Sequence, residues 1–337
     1  MRSKSKWSPL SLRYVASGFL VLGCAFIGVR VEGQQPATPI AIDVVPVKPN
    51  FYMIAGAGGN IAVQIGPMGA ILVDAGSAAA ADKVLDAVNR ISPKPIRYII
   101  NTSADADHTG GNQRLGKAGL TVLSGAVGQR GIDEDVLTNG GTASVLAHEN
   151  VLQRMSRSNG APEVLWPTKP YSGRGYSMYL NDAGIQIWHL PAAHSDGDSA
   201  VFFRQHDVIV TGDVIDADHF PTINTAIGGG IQGEIDALNR LIDMVIPPFP
   251  LVWQEARTFI VPGHGRVIDQ HDIVEYRDMV VISRDLIQDL AKQGKTLEQV
   301  KAANPTKAYR TRYGADSGTW TTDMFVEAVY KGVTAGK

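Results

Sequence analysis

The chain has 337 residues, 44% of them hydrophobic and 19% charged. That composition supports a sizeable core in one large domain or two ordinary ones and excludes intrinsic disorder as the overall state. A formal net charge of −2 offers no basic surplus for a nucleic-acid backbone, and a single cysteine excludes an intramolecular disulfide and a multi-thiolate metal site.

Arg2, Lys4, Lys6 and Arg13 open the chain with positive charge, and residues 14–29 then run apolar up to Arg30. Val31 and Gly33 stand at positions −3 and −1 of a cut before Gln34. This pattern predicts a secretory signal peptide over residues 1–33 and a periplasmic or secreted protein. The apolar run has 16 residues, short of the ~20 a membrane span needs, so no stable span is expected after cleavage. An uncleaved N-terminal helix or a lipid anchor at Cys24 are the alternatives. Loss of residues 1–33 removes five basic residues and one acidic one, leaving 26 basic and 32 acidic residues and a net charge of −6.

After an N-terminal segment (34–50, alternating over 40–47), short apolar runs at 51–54, 61–65 and 70–73 are separated by glycine-rich turns, as in hairpins. Residues 78–91 carry helical spacing through Val84, Leu85, Val88 and Ile91. A buried-strand run follows at 96–100, then a polar loop, a helix at 110–117 and a strand at 120–123. Residues 125–165 read as mixed and helical. Strands are expected at 185–190, 200–203, 208–211 and 258–261, with an amphipathic helix at 235–246. Three helices close the chain at about 272–293, 297–303 and 319–332. Strand runs alternating with helices suggest two packed sheets with helices outside.

The chemistry concentrates at four strand ends. The first is Asn101-Thr102-Ser103-Ala104-Asp105-Ala106-Asp107-His108-Thr109-Gly110-Gly111-Asn112. A loop lets Asp107 and His108 face one centre, although turn and N-cap roles for Asp105 and Asp107 are equally open. The others are Ala193-His194-Ser195-Asp196-Gly197-Asp198, Gly212-Asp213, and Pro262-Gly263-His264-Gly265. One histidine after a strand is ordinary; four such sites in order are not.

This order, with Val73-Asp74-Ala75-Gly76 before it, resembles the metallo-β-lactamase fold superfamily across roughly residues 51–267. The resemblance implies an α/β fold: a four-layer αββα sandwich of two mixed sheets with helices outside, here plus a helical C-terminal extension. Residues 51–270 would form the metallo-β-lactamase-like domain and 271–337 the extension packed on it. Where the family has His-x-His-x-Asp-His, this chain has Ser103-x-Asp105-x-Asp107-His108. By resemblance, Asp107, His108, Asp213 and His264 form a complete second metal site. The first is reduced to Asp105, His194 and the shared Asp213, with Ser103 a weak candidate. Exchanging two imidazoles for oxygens hardens that site and favours Mn or Fe relative to its parent, without excluding Zn. One divalent metal is the leading expectation, two the alternative, and none the third reading. With one ion, Asp105 sits among like charges and becomes a candidate base beside Asp107.

The function these residues suggest is an exported metal-dependent hydrolase of a small molecule. It would attack the carbonyl of an ester, thioester, lactone or lactam with a metal-activated water. The alternative is a non-catalytic or regulatory metal-binding protein with a degenerate first site. No nucleic-acid partner is expected, and oligomeric state is not encoded in any visible pattern. His219 is placed near the site, and Phe51 and Tyr52 at its rim. His189 is read as structural, and His148, His206 and His271 as surface residues. Gly228-Gly229-Gly230 is read as a flexible rim loop, Trp166, Trp253 and Trp320 as packing residues. The basic, aromatic stretch 307–313 is a solvated connector or a contact to substrate or a second copy.

Overall fold

The computed structural model describes residues 40–122, 141–157, 160–247 and 257–335. The proposed signal segment, Cys24 and Trp253 lie outside these residues. The first sheet has seven strands in sequence order: β1 (Asp43–Lys48), β2 (Phe51–Ala55), β3 (Ile61–Gly66), β4 (Gly69–Val73), β5 (Ile96–Ile100), β6 (Ser144–His148) and β7 (Lys169–Tyr171). It is antiparallel from β1 to β4 and parallel from β4 to β7. The second sheet takes β8 (Gly175–Leu180), β9 (Ala183–His189), β10 (Ser199–Phe203), β11 (Val208–Asp216) and β12 (Phe259–His264) in one run, with only the β11–β12 pair parallel.

Alternation along the strands sends one set of side chains between the sheets and the other toward helices. Val73, Ile100 and Leu146 of the first sheet meet Ile187, Val201 and Val261 of the second in one buried cluster. Leu72 and Ile99 turn the other way, onto α1 (Ala81–Ile91) and α3 (Asn112–Ala118), through Val84, Val88 and Leu115. Ile209 and Ile260 face α5 (Ile231–Ile242), α6 (Gln270–Lys292) and α9 (Thr322–Thr334), through Leu238, Val280 and Phe325. Three apolar layers between helices, sheet, sheet and helices make the αββα sandwich, and the C-terminal helices pack on its second sheet. Two short helices, α7 (Leu297–Ala303) and α8 (Arg310–Tyr313), link α6 to α9.

Several expectations need correction. The loop after β5 breaks its helix in two, a single turn α2 (Ala106–Thr109) and then α3. Residues 120–122 form no strand, because the β5 edge is taken by β6, paired through Tyr98–Ser144 to Ile100–Leu146. The described part of 125–165 therefore holds a strand before its helix, α4 (Glu149–Met155). Helix α5 starts one turn earlier than predicted and ends at Ile242, before Pro247, whose missing N–H and rigid ring oppose continuation. His148 is not a surface residue: it is 3% exposed and stacks on His189 with ring centroids 3.7 Å apart. Burial and the neighbouring His189 hold its pKa below the usual histidine value. His206 is half-buried, 5.5 Å from the Phe51 ring.

Candidate metal centre

Four strand ends converge at one edge of the sandwich. The β5 end leads through Ser103 and Asp105 into α2, which carries Asp107 and His108. Asp105 holds the N-cap position of α2, yet its side chain makes no capping bond and is left to the cleft. His194 follows β9. Asp213 lies within β11, where pairing to β12 slips at Gly212, and such an irregularity re-aims the side chain that follows. His264 ends β12.

Two groups of candidate ligands result. Asp107, His108 and His264 offer one donor atom each within 4.8 Å of one another, as do Asp105, His194 and Asp213. Asp213 joins them: its Oδ1 lies 2.9 Å from His108 Nε2 and 3.4 Å from His264 Nε2. His264 Nε2 is 3.3 Å from Asp107, and His194 Nε2 is 3.3 Å from Asp105. Ser103 is buried and donates from Oγ to Asp213 Oδ2 at 3.4 Å. The donors are all oxygen and imidazole nitrogen, a set suited to Zn²⁺, Mn²⁺ or Fe²⁺.

A second ring of residues orients these donors. Asp74, at the end of β4, is buried and accepts from Thr102 N–H (2.8 Å), Thr102 Oγ1 (2.7 Å) and His108 Nδ1 (2.7 Å). Asp198 does the same for His194 Nδ1 (3.2 Å) and is held by Ser195 N–H and Oγ, both at 2.6 Å. In both cases Nδ1 is committed to a carboxylate, which leaves Nε2 for an ion. Asn60 locks the β2–β3 turn onto the β12 end by donating to the carbonyls of Pro262 and Gly265.

The charges answer one another. Burial opposes a charged His108, but the Asp213 and Asp74 carboxylates outweigh it and hold the imidazole well above its usual pKa. Burial pushes Asp213 up, and His108 with His264 drives it well below the carboxylate range. Hydrogen bonds to Asp107 and Asp213 raise His264 to about 10. Asp107 is lowered: burial raises it, and His264 and His108 prevail. His194 is raised despite burial, by Asp105 and Asp198.

Asp105, Asp107, His194, Asp213 and His264 line a cleft of about 570 Å³, with His108 buried behind them. Its other wall comes from His219, beside Asp216 at 3.0 Å, and from the 315–320 segment before α9. Trp320, expected to be a packing residue, lines this cleft as well as packing on the core. Phe51 is not at the rim: it is fully buried between the sheets, 4.9 Å from the Phe203 ring. Tyr52 is half-buried on β2 and does not line the cleft either. The part of this hairpin region that reaches the site is the β2–β3 turn. The glycine triplet 228–230 is a packed support and no loose rim, with Gly230 N–H donating to the carbonyls of Ala192 and Ala193 just before His194.

The pattern of the metallo-beta-lactamase superfamily matches residues 55–264, more than half of the chain. The chain belongs to the metallo-beta-lactamase superfamily, whose members are typically metal-dependent hydrolases. Among solved structures, it is similar to the inverting sec-alkylsulfatase Pisa1 from Pseudomonas sp., at 14% identity and a TM-score of 0.61 over 86% of this chain and 50% of that one. A doubly substituted form of that enzyme gives a TM-score of 0.64 over the same shares. A metallo-beta-lactamase from Pontibacter korlensis matches at 15% identity and a TM-score of 0.51, over 72% of this chain and 99% of that one. The chain thus spans about half the length of the alkylsulfatase structures it matches. At these identities the likeness concerns the fold. No curated protein matches the chain.

Sequence reasoning missed Asp198, Asn60 and Glu234 as parts of the site and its surroundings. Asp198 had a visible signal, standing four residues after His194 in a Ser-Asp-Gly-Asp turn. Asn60 and Glu234 had none: Asn60 bonds carbonyls more than two hundred residues further on, and Glu234 is marked only by its burial.

Proposed function

We propose that the protein is an exported metal-dependent hydrolase that cleaves a small ester, thioester, lactone or lactam. The observation that carries this reading is the meeting of two three-residue ligand groups on the floor of one open cleft. Asp107, His108 and His264 would hold the principal ion, with Asp213 between the groups. Asp105, His194 and Asp213 offer a second, oxygen-richer place. When bound, a divalent ion supplies Lewis-acid polarisation of a carbonyl and acidifies water.

The chain's own residues do the rest. Asp74 and Asp198 hold the two imidazoles so that Nε2 of His108 faces Asp213 and Nε2 of His194 faces Asp105. Asp105, about 38% exposed and free of any capping bond, is placed to take the proton of an attacking water. That proton passes to the leaving alkoxide, thiolate or amide nitrogen, so the products are a carboxylic acid and an alcohol, thiol or amine. The single-ion reading rests on Ser103 and Asp105: a neutral hydroxyl and a carboxylate stand where the family has imidazoles, which leaves the Asp105 group two nitrogens short of the family pattern.

The test is elemental analysis of purified protein, followed by a panel of esters, thioesters, lactones and lactams, with a sulfate ester as contrast. About one equivalent of metal and turnover of one carbonyl class are expected. Asp107→Ala should lower metal content and reduce kcat/KM at least about a hundredfold. Full metal and full activity in that variant would sink the scheme. Bound metal without turnover across the panel would make this a metal-binding protein instead.

A further inference from the structure

Among the described residues, three histidines line the metal cleft, His194, His219 and His264, and His219 alone of these belongs to neither ligand group. Its ring is held by Asp216, the last residue of β11, which pairs with His264 across the ladder to β12. A carboxylate can only accept, so Nδ1 carries the hydrogen of the 3.0 Å bond to Asp216 Oδ2. Oδ1 of the same carboxylate takes the backbone N–H groups of Asp218 at 2.9 Å and His219 at 3.1 Å. The chain is pinned from behind as well. The buried Tyr276 donates its hydroxyl to the His219 carbonyl at 3.2 Å, and Phe220 N–H donates to the Tyr313 carbonyl at 3.0 Å. His108 and His194 are also held at Nδ1 by a carboxylate, but their Nε2 atoms face Asp213 and Asp105. Nε2 of His219 has no polar partner among the described residues, and the side chain is 51% exposed.

We infer that His219 is the acid that protonates the leaving group, from Nε2, with Asp216 fixing its tautomer. The inference deepens the hydrolase reading and rests on it for the reacting carbonyl. Hydrolysis needs two proton transfers, one from the attacking water and one to the leaving atom, and Asp105 serves the first. The metal ligands give their lone pairs to the ion and have no proton to donate for the second. Asp216 is occupied by three N–H groups. The hydroxyls of Thr222, Ser317 and Thr319 in the cleft would only exchange one alkoxide for another. That leaves the imidazole on the wall opposite the ligands, and imidazole is the side chain most used for such transfers. The water oxygen bonds to the carbonyl carbon as one of its protons passes to Asp105. The bond from that carbon to the leaving atom then breaks with its electron pair on the leaving atom, which takes the Nε2 proton. The Nδ1 hydrogen stays on the Asp216 bond and so determines which nitrogen faces the substrate. Asp105 and His219 are both open to solvent, which carries the proton from one to the other and restores the starting state.

The experiment uses the full metal-loaded chain and two substrates of the class it cleaves that differ only in the leaving group. For an ester these are ethyl acetate, whose alkoxide must be protonated as it leaves, and 4-nitrophenyl acetate, whose phenolate leaves as a stable anion. The variants are His219→Ala and His219→Gln, each with its metal content measured. The ethyl-to-nitrophenyl ratio of kcat/KM should fall at least about thirtyfold in both, within the range a general acid contributes, and metal content should match the natural protein. An equal loss on both substrates assigns His219 a structural or binding role and overturns the inference while the hydrolase reading stands. So does a ratio that neither variant changes. Loss of metal in either variant overturns it too, since His219 would then support the ion. If the natural chain with its metal cleaves no substrate of any carbonyl class, the hydrolase reading fails and the inference falls with it.

Discussion

Glu234 is fully buried on α5, and neither of its carboxyl oxygens has a hydrogen-bond partner among the described residues. Burial, with Asp198 adding to it, drives its pKa well above the ordinary glutamate value of 4.5. Asp213 of the metal centre is nearly as enclosed, but imidazoles answer it, and its pKa moves the other way. The folded state therefore holds the Glu234 proton more tightly than the unfolded chain does. Its contribution to stability is complete below about pH 4.5 and is lost as pH rises toward the folded-state pKa, by up to about 1.4 kcal/mol per pH unit. Glu234→Gln removes the ionisation and keeps the shape. The variant should be close to the natural protein in urea melts at pH 4 and more stable at pH 8. A stability gap that does not grow with pH would contradict this account. None of this is legible in the sequence, where Glu234 falls in Gln-Gly-Glu-Ile-Asp, an ordinary polar stretch of a helix. His108 and His264 were legible because glycines and strand ends mark them. What a residue touches across three layers is set by packing, and packing leaves no local mark.

At the scale of elements, the chain builds its site by bringing bare backbone against the ligands. A Cβ on Gly59 would lie 2.7 Å from His108 Cε1 and 2.8 Å from its Nε2. The β2–β3 turn thus forms a wall that only glycine can provide without moving the imidazole. Gly59→Ala should keep the fold, since the turn stays anchored by Asn60, yet displace His108 Nε2 from Asp213. A drop of at least about tenfold in metal affinity is expected, in the range that loss of ligand orientation costs. Metal titration checks it, and unchanged affinity would show that the wall can yield. The turn itself was readable from Ala-Gly-Gly-Asn, as were β2 to β5 from their compact apolar runs. Strands β7 and β8 escaped notice for a physical reason. They are sheet-edge elements with one wet face, where Tyr179 is 71% exposed, so the hydrophobic signal is halved. The shift of α5 has another cause. Ile231, Ile235, Leu238 and Leu241 continue one apolar face back to Gly230, and the sequence offers no strong capping residue to fix the start.

For the whole molecule, the two ligand groups couple metal binding to protons and to stability. In the metal-free chain His264 keeps its proton up to a pH of about 10, and His108 and His194 are also held well above the usual histidine range. These imidazolium ions occupy the place of a divalent charge among Asp105, Asp107 and Asp213, so the chelated protein should remain folded near neutral pH. An ion at Asp107, His108 and His264 needs the lone pairs of both histidines, so about two protons must leave as it binds. Apparent affinity should therefore rise with pH, by up to about a hundredfold per unit while both histidines remain protonated. The stability of the two forms should diverge as well. A histidine whose folded pKa is raised contributes stability below its unfolded value near 6.5, and loses it as pH climbs through the folded value. The chelated chain should weaken between about pH 7 and pH 10, whereas the loaded chain, whose histidines carry no such proton, should not. A ligand at a thousand times its Kd adds about 4 kcal/mol, and that difference should widen with pH across this window. Calorimetric Zn²⁺ titration in two buffers of unlike ionisation enthalpy counts the released protons, and thermal melts with and without chelator follow the gap. Metal binding that releases no proton, or a melting gap that shrinks as pH rises, would mean that the imidazoles are not cationic in the metal-free chain and that another arrangement balances the three carboxylates.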